Sequence, residues 1–588
     1  MTAYNYPEIF DVLVVGGGHA GCEAALAAAR LGAKTLLLTQ DLDTLAQMSC
    51  NPSIGGVGKG QLVREIDALG GEMGKIADLS MLSGHMLNTS KGAAVRSPRA
   101  QCDKKMYQLA MKRALERQPG LTLVQDEAAE VLEKGGRAAG VGTARHTVYR
   151  SKTVVLTAGT FLRGVIHVGL DSFPGGRYNH PPSDLLSKSL AGLGFRLGRL
   201  KTGTPMRLHA RGIDFSKCDR QAPDAPPAPF SHFTGAITNP QLPCWITRTG
   251  AGTAGVISAA LHRSPLYSGK IKSTGPRYCP SIEDKVVKFP HHGAHHLFLE
   301  PEGFATEEYY VNGLSTSLPE EVQADIVRSV AGLERAEIMR AGYAIEYDYS
   351  DPGQLDYTLE TRPLPGLYMA GQVNGTTGYE EAAGQGLVAG INAARAAAGL
   401  EPLIIRRDEG YLGVMIDDLV SKGIDEPYRI FTSRAEYRLL LRADNADLRL
   451  CPRGFELGLL PARLEKNFRA YADAVRTLQA GGKPARLPPG PWTLKKARAT
   501  AEIEKIYEMY VRRNQKEAEK MKKFEGLRIP PDFSYADARA LPNEARHKLE
   551  LHRPLTLAQA GRLPGVTPAD VQLLWVLLEK RRRQRRKP

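Results

Sequence analysis

Cysteines in glycine- and proline-rich segments are the residues of this chain best suited to nucleophilic chemistry. Cys50 lies in SCNPSIGG and Cys279 in GPRYCPS, away from any periodic apolar face. A free cysteine is usually a small buried hydrophobe, and that interpretation stays open for both residues. Arg277 and Lys285 lie near Cys279 in sequence, and cationic neighbours favour the thiolate form. Both cysteines are therefore candidate covalent nucleophiles.

The glycines Gly16, Gly18 and Gly21 have the spacing of a dinucleotide-binding turn. They follow a short apolar run, Asp11–Val15, and open an Ala-rich helix that extends to about Leu31. In this context the first glycine permits a tight turn and the second lets the backbone approach a pyrophosphate. The third lets the helix pack closely on the strand. The helix N-terminus presents free N–H groups to the phosphates, so the sequence predicts a dinucleotide site here.

The type of dinucleotide is predicted from the wider spacing. Gln40 stands after the second strand, Lys34–Thr39, where an acidic residue would bind the ribose hydroxyls. The positions of the glycines, with Ala25 and Gly32, resemble the FAD fingerprint of glutathione-reductase-like flavoproteins. We therefore expect FAD to contact the turn and the start of its helix, at Gly16, Gly17, Gly18, His19, Ala20 and Gly21.

Further strands and a second small-residue helix are expected to complete the cofactor domain. Leu121–Gln125 and Thr153–Thr157 are apolar runs typical of buried strands, and Gly366–Ala370 is another. The last run leads into the helix Glu380–Ala397, whose glycines favour close packing over helix propensity. The positive end of its dipole would face the flavin.

The predicted fold is α/β: a glutathione-reductase-like Rossmann FAD domain with insertions, plus an α-helical C-terminal domain. Expected C-terminal helices are Tyr411–Ser421, Arg434–Leu441, Pro461–Gln479, Ala501–Lys523 and Pro568–Arg583. The expected division is an FAD-binding domain (1–200 and 336–400), an insertion region without helix–strand alternation (201–335), a helical region with a linker (401–500) and a basic helical domain (501–588).

Charge and composition restrict the class of partner. The chain has 588 residues, a formal net charge of +15 and a pI near 9.3. Residues 501–588 contain 20 Lys and Arg against 12 Asp and Glu, a net charge of +8. This excess predicts a polyanionic partner, with nucleic acid favoured over a membrane surface. The run KRRRQRRK at 580–587 is either an RNA contact or a solubilising tail.

Several other patterns argue against alternative sites and compartments. Seven scattered cysteines without a C-x-x-C pair indicate reduced thiols in the cytoplasm, not disulfides or zinc. The histidines of HHGAHH (291–296) offer no fixed ligand geometry, so no metal is expected. No secretory signal or membrane span is expected, because the N-terminus lacks a basic region before an apolar core and no apolar run is long enough.

Long blocks of the sequence resemble one family. They resemble the flavoprotein subunits of the complexes that carboxymethylaminomethylate the tRNA wobble uridine, the MnmG or GidA family. The matching blocks are QMSCNPSIGGVGKGQLVREIDALGG (47–71), GPRYCPSIEDKVVKF (275–289), HLFLEPEG (296–303), GYAIEYDYSDP (342–352), GQVNGTTGYEEAAGQGLVAGINAAR (371–395) and EPYRIFTSRAEYRLLLRADNADLRL (426–450).

The resemblance implies an enzyme that uses FAD, NADH and methylenetetrahydrofolate. With a GTPase partner, MnmE, in a heterotetramer, it would add an aminomethyl or carboxymethylaminomethyl group to carbon five of the wobble uridine of tRNA. Ammonium or glycine would supply the amine. A homodimer in the cytoplasm is also implied, without a membrane partner.

The resemblance also assigns residues. Besides the glycine turn, Ala129, Ser183, Gly371 and Gln372 would bind FAD, and Cys50 and Cys279 would be the reactive cysteines. A thiolate could add to carbon six of uracil and make carbon five nucleophilic. The segment associated with NADH comprises Gly275, Pro276, Arg277, Tyr278, Cys279, Pro280, Ser281, Ile282, Glu283, Asp284, Lys285, Val286, Val287, Lys288 and Phe289.

Three alternatives belong to other functional classes. A folate-dependent tRNA methyluridine methyltransferase would share the N-terminus, but such relatives lack the long helical C-terminal half. A small-molecule NADH:flavin oxidoreductase would not need the basic charge. A flavin-sensing RNA-binding or scaffold protein would not need both cofactor segments.

Overall fold

The structure is a computed structural model that describes residues 4–278, 280–525, 527–530, 532–563 and 565–585. Cys279 therefore lies outside the described residues. The strands are β1 (Tyr4–Val15), β2 (Thr35–Thr39), β3 (Ser53–Gly55), β4 (Met81–Leu87), β5 (Ser97–Cys102), β6 (Leu121–Gln125), β7 (Ala128–Lys134), β8 (Arg137–Thr143), β9 (Thr147–Leu156), β10 (Val165–Val168), β11 (Asp171–Pro174), β12 (Leu197–Thr204), β13 (Arg207–His209), β14 (Asp219–Gln221), β15 (Cys244–Arg248), β16 (His296–Pro301), β17 (Glu308–Asn312), β18 (Ile338–Arg340), β19 (Tyr343–Ser350) and β20 (Leu367–Met369).

The α-helices alternate with these strands in the first half of the chain and dominate the last third. They are α1 (His19–Arg30), α2 (Lys59–Ala68), α3 (Met73–Leu79), α4 (Lys104–Glu116), α5 (Asp184–Gly192), α6 (Ala251–Ala260), α7 (Ile282–Lys288), α8 (Glu320–Arg328), α9 (Tyr379–Ala397), α10 (Tyr411–Lys422), α11 (Ala446–Glu456), α12 (Glu465–Gln479), α13 (Leu494–Glu525), α14 (Asn543–His552), α15 (Leu557–Arg562) and α16 (Pro568–Arg585).

The main sheet has the order β6-β2-β1-β9-β8-β7, and β20 pairs with β9. Strands β6, β2, β1, β9 and β20 are parallel, whereas β7, β8 and β9 form an antiparallel meander. The predicted strand–glycine turn–helix–strand unit is confirmed. Strand β1 begins earlier than its apolar run because its first residues pair with the start of β9, at Tyr4 and Thr147.

Helices α1 and α9 cross closely on one face of this sheet. A Cβ atom on Gly386 would lie 2.0 Å from the carbonyl oxygen of Ala20, and one on Gly390 would lie 2.3 Å from that of Ala24. Both distances are shorter than a Cβ contact allows, so glycine is required at these positions. The interpretation that the glycines of the second helix serve close packing is confirmed.

Residues 201–335, for which the sequence indicated no regular alternation, contain a mainly antiparallel sheet of order β14-β15-β16-β17-β13-β18. Helices α6–α8 pack on it around a separate apolar core that includes Leu208, Leu299 and Val311. A second antiparallel sheet, β11-β10-β19-β12, joins this part of the chain to the main sheet. The strands are short and separated by proline- and glycine-rich loops, which hides their period in the sequence.

The last third of the chain is helical, as predicted, with one exception. Arg434–Leu441 is not an α-helix: a 3₁₀ turn, Thr432–Arg434, is followed by hydrogen-bonded turns. The Arg434 carbonyl, which a helix would use, accepts instead from the Arg407 side chain at 3.1 Å. The α/β class with a helical C-terminal part is confirmed.

Helices α14–α16 enclose their own apolar core around Leu549, Leu557 and Leu574. An ion pair of 2.8 Å between Arg562 and Asp417 joins them to α10. The same Asp417 carboxylate also accepts a hydrogen bond of 3.0 Å from the Tyr357 hydroxyl. In the part of the chain that the structure describes, no helix is both long and apolar enough to cross a membrane.

Candidate active site

One cavity lies at the carboxyl ends of the parallel strands, where open α/β sheets bind their ligands. Its volume is about 430 Å³, within the range of ligand pockets. Its wall combines the glycine turn after β1, the ends of β2 and β9, and the N-terminal end of α9. The loop that carries Cys50 closes the opposite side. Dinucleotide-binding and nucleophilic candidates therefore share one cavity.

The glycine turn has the geometry of a phosphate-binding site. Gly16 has a φ of +101°, and a Cβ atom there would lie 2.6 Å from the Thr157 oxygen. A Cβ atom on Gly21 would lie 1.8 Å from the Gly16 oxygen, so this glycine lets α1 sit directly on the turn. A Cβ atom on Gly18 would meet no heavy atom within 4 Å in the described residues. That open space, at the N-terminus of α1, fits a pyrophosphate.

His19 opens α1 and is 6% exposed. Its ring stacks on Tyr379, with ring centroids 4.5 Å apart. Burial lowers the pKa of His19 to about 4, against an opposing effect of Glu380, so the imidazole is neutral at pH 7. Its Nε2 has no hydrogen-bond partner among the described residues, and it can bind a polar atom of a ligand.

Three other expected FAD contacts line the same cavity. They are Ser183, Gly371 and Gln372, and Gln40 donates a hydrogen bond of 3.1 Å to the Ser183 hydroxyl. In β7 the described lining residue is Ala128, next to Ala129. The expected contact at Ala129 is with its backbone, and it stays a prediction.

Cys50 is held by hydrogen bonds at its backbone on both sides. Its N–H donates to the Tyr379 hydroxyl at 2.7 Å, and its carbonyl accepts from Arg207 at 3.2 Å. The Cys50 Sγ lies 3.0 Å from the Tyr310 hydroxyl and 3.8 Å from the Gly203 oxygen. The side chain is half-buried and lines the cavity. These contacts hold Cys50 at the wall of the cavity.

The family is identified by comparison of sequences. The profile described as "Glucose inhibited division protein A" (GIDA) matches residues 11–401. The profile "tRNA modifying enzyme MnmG/GidA C-terminal helical bundle" matches residues 517–588. The chain belongs to the GidA family.

Similar proteins cover nearly the whole GidA chain. A protein of Syntrophotalea carbinolica named "tRNA uridine 5-carboxymethylaminomethyl modification enzyme MnmG" is 50% identical, over 98% of this chain and 100% of its own. A protein of the same name from Geotalea uraniireducens is 51% identical, over 98% and 99%. The form I crystal structure of Aquifex aeolicus GidA is 49% identical, with a TM-score of 0.89 over 97% and 100% of the two chains.

Ion pairs neutralise the buried charges around the cavity of this GidA chain. Lys59 lies 2.8 Å from Glu380 and 3.0 Å from Glu381. Burial acts to lower the pKa of Lys59, but the two carboxylates outweigh it and the pKa is raised. Arg99 pairs with Glu300 at 2.5 Å. Lys59 is therefore committed to these two carboxylates.

The segment 275–289 lies outside this cavity, since none of its described residues is among those that line it. Its Tyr278 ring lies against Phe431, with centroids 4.3 Å apart, and its second half forms α7. Lys285 donates to the Gly313 oxygen at 2.8 Å. Cys279 falls outside the described residues, so its role stays a prediction.

Among the described residues, no cysteine other than Cys50 lines the cavity, whereas His180 does. Cys22 is buried in α1, its thiol 3.4 Å from the Gly17 oxygen, and burial raises its pKa. The interpretation that it serves packing agrees with this environment. Within the described ranges, no group of three His, Cys, Asp or Glu side chains could hold a metal ion.

Sequence reasoning did not find Arg207, Tyr310 or Tyr379 beside Cys50. They lie 157, 260 and 329 positions away along the chain and reach the cysteine from different sheets and helices. No local pattern marks them: Arg207 and Tyr379 begin β13 and α9, and Tyr310 is in the middle of β17. Only the packing of the sheet of residues 201–340 against the main sheet brings them together.

Proposed function

We propose that this chain is a flavoenzyme that adds an aminomethyl or carboxymethylaminomethyl group to carbon five of the wobble uridine of tRNA. The observation that carries the proposal is the shared cavity, in which a dinucleotide-binding turn faces a half-buried cysteine held at both backbone groups. The names of the relatives supply the reaction.

The residues of the cavity fit FAD. Gly16–Gly21 would hold the pyrophosphate, Ser183 and the backbone at Ala129 would border the adenosine half, and Gly371 with Gln372 would border the isoalloxazine ring. The N-terminus of α9 faces the cavity and would favour negative charge on a reduced flavin. FAD supplies hydride transfer, with NADH as reductant and methylenetetrahydrofolate as one-carbon donor. The chain orients these groups and excludes water.

Cys50 is the proposed nucleophile. Its thiolate attacks carbon six of uracil, a sulfur–carbon bond forms, and the electron pair of the carbon five–carbon six double bond moves toward carbon five. Carbon five then bonds to the one-carbon unit and loses its proton, and expulsion of the Cys50 thiolate restores the double bond. Cys279 is proposed as the second reactive cysteine, and Gly275–Phe289 as the segment that contacts NADH.

The proposed partners follow from charge and from the family. The net charge of +8 over 501–588 supports binding of tRNA. A homodimer, and a heterotetramer with the GTPase MnmE, are proposed from the resemblance, as is a cytoplasmic location. The separate core of α14–α16 supports a distinct basic helical domain. The division at residues 200, 336 and 401 stays a prediction.

The test is nucleoside mass spectrometry of tRNA from cells that lack the protein, complemented with variants. Cys50→Ser should fail to restore the carboxymethylaminomethyl-type uridines while keeping its flavin. Cys218→Ser is the matched control, because Cys218 is half-buried but does not line the cavity, and it should restore them.

Two outcomes would refute the proposal. If a uridine methyl group disappears instead, the protein is a methyluridine methyltransferase. If no nucleoside changes, the basic charge does not reflect tRNA modification, and a small-molecule flavin reductase becomes the better explanation. Full activity of Cys50→Ser would exclude Cys50 as the nucleophile but not the reaction.

A further inference from the structure

We propose that Tyr310 is a catalytic residue whose hydroxyl donates a hydrogen bond to the Cys50 sulfur and stabilises its thiolate. This inference rests on the proposed function of Cys50 as a nucleophile. The carrying observation is the 3.0 Å distance between the Tyr310 Oη and the Cys50 Sγ. Tyr310 is 3% exposed, so water does not compete freely for its hydroxyl.

The direction of this hydrogen bond follows from the form of the cysteine that reacts. The nucleophile is the thiolate, not the thiol. A thiolate can only accept, and the phenol is then the donor. The carbonyl oxygen of Gly203, 3.8 Å from the same sulfur, can accept from the thiol but not stabilise the thiolate. Tyr310 is thus the group that favours the reactive form.

Arg207 fixes the position of both partners. Its guanidinium carbon lies 4.9 Å from the centre of the Tyr310 ring. The guanidinium makes five hydrogen bonds, to Glu302, to Thr204, and to the carbonyl oxygens of Pro205, Ser49 and Cys50. The side chain is 3% exposed. A residue with every N–H group engaged cannot reorient, so Arg207 is a positioning residue that holds the tyrosine ring against the cysteine.

The other charged and titratable groups near Cys50 are accounted for. Tyr379 on α9 accepts from the backbone N–H of Cys50, and Tyr343 on β19 lines the same cavity. Glu302 is paired with Arg207 at 2.9 Å and with Lys104 at 3.1 Å, so its charge is balanced. Among the described residues, the side chain that hydrogen-bonds to the Cys50 sulfur is that of Tyr310. This hydrogen bond would become stronger when the sulfur carries a negative charge.

The test measures the pH dependence of Cys50 alkylation by iodoacetamide in the flavin-loaded protein, followed by peptide mass spectrometry. Loss of one hydrogen bond to a charged group should raise the midpoint pH in Tyr310→Phe by about one unit. Tyr309→Phe is the matched control. It makes the same change one residue earlier on β17, where the ring packs on Phe215 with centroids 5.3 Å apart. Its midpoint should equal that of the wild type.

An unchanged midpoint in Tyr310→Phe would overturn the proposal, as would an equal shift in Tyr309→Phe. If Tyr310→Phe does not retain flavin, Tyr310→Met repeats the test with a flexible side chain that also lacks the hydroxyl, and the same upward shift is expected. A failure of the proposed function would be detected in a separate measurement, the modification of tRNA by Cys50→Ser. A shifted midpoint together with full tRNA modification by Cys50→Ser would keep the hydrogen bond from Tyr310 to the Cys50 thiolate and remove the catalytic role of both residues.

Discussion

Replacing Gly21 by alanine tests whether the contact between α1 and the glycine turn builds the flavin site. The added Cβ would lie 1.8 Å from the Gly16 oxygen and 2.8 Å from the Thr157 hydroxyl. Real Cβ contacts are not shorter than 3.0 Å, so the start of α1 must move at least 1.2 Å. It cannot move easily, because α1 is held from its other side by the close contact of Gly386 with Ala20.

The magnitude combines two opposing effects. Alanine favours a helix over glycine by about 1 kcal/mol, whereas overpacking a rigid contact costs about 1–3 kcal/mol. We expect a net loss near 1 kcal/mol in the free energy of unfolding. The effect on flavin should be larger. A shift of 1.2 Å lengthens ordinary N–H···O contacts of about 2.9 Å to about 4 Å, beyond hydrogen-bond distance.

The assay compares flavin per protein chain, by absorbance after desalting, and the unfolding temperature of the flavin-free form. Gly18→Ala is the matched variant, because its Cβ meets no described heavy atom within 4 Å and its φ of −76° suits any residue. Gly18→Ala should lose flavin without losing stability, since the methyl group would occupy the space of the pyrophosphate. Gly21→Ala should lose both.

Normal flavin content in Gly21→Ala would refute the reasoning, because the helix N-terminus would then tolerate the displacement. Normal flavin content in Gly18→Ala would show that the phosphates lie elsewhere, even if Gly21→Ala behaves as expected.

Two more variants test electrostatic features. Burial raises the pKa of Glu23 from 4.5 to about 7, against backbone hydrogen bonds from Glu72 and Met73. The contribution of protonated Glu23 to the free energy of unfolding is therefore full below pH 4.5 and is lost as the pH rises through 7. Glu23→Gln should remove this decline, about 3 kcal/mol, in unfolding temperatures measured across that range. Arg562→Ala removes the 2.8 Å ion pair with Asp417 and should weaken the docking of α14–α16 by about 1.5 kcal/mol. Limited proteolysis should then be about tenfold faster, and the flavin content should be unchanged.

Each of these expectations has a contradicting result. A pH profile of Glu23→Gln parallel to that of the wild type would mean that another group causes the decline. Arg469→Ala, which removes an exposed pair with Glu465 on α12, serves as the control for Arg562→Ala. Equal proteolysis of both variants would show that the Arg562 contact does not hold the C-terminal helices.

Several features of the fold could be read from the sequence because they depend on neighbouring residues. The glycine turn is predictable, since Gly16, Gly18 and Gly21 must satisfy local φ angles and close contacts within one strand–helix unit. The packing role of the α9 glycines was predictable because they weaken the helix locally, whereas their partners, Ala20 and Ala24, lie on α1 and were not predicted. The helix predicted at Arg434–Leu441 was wrong. Its first carbonyl group, that of Arg434, accepts from the side chain of Arg407, which lies outside that stretch.

The amino-acid sequence by itself determined the dinucleotide-binding unit, the basic C-terminal helices and the family. Tertiary structure alone decided the surroundings of Cys50. Arg207, Tyr310 and Tyr379 reach it from β13, β17 and α9, elements separated from it by more than 150 residues. The physical reason is the distance along the chain between the residues that interact. Turns and helices are set by interactions between neighbours, whereas a reactive side chain takes its partners from whichever elements the packed core places around it.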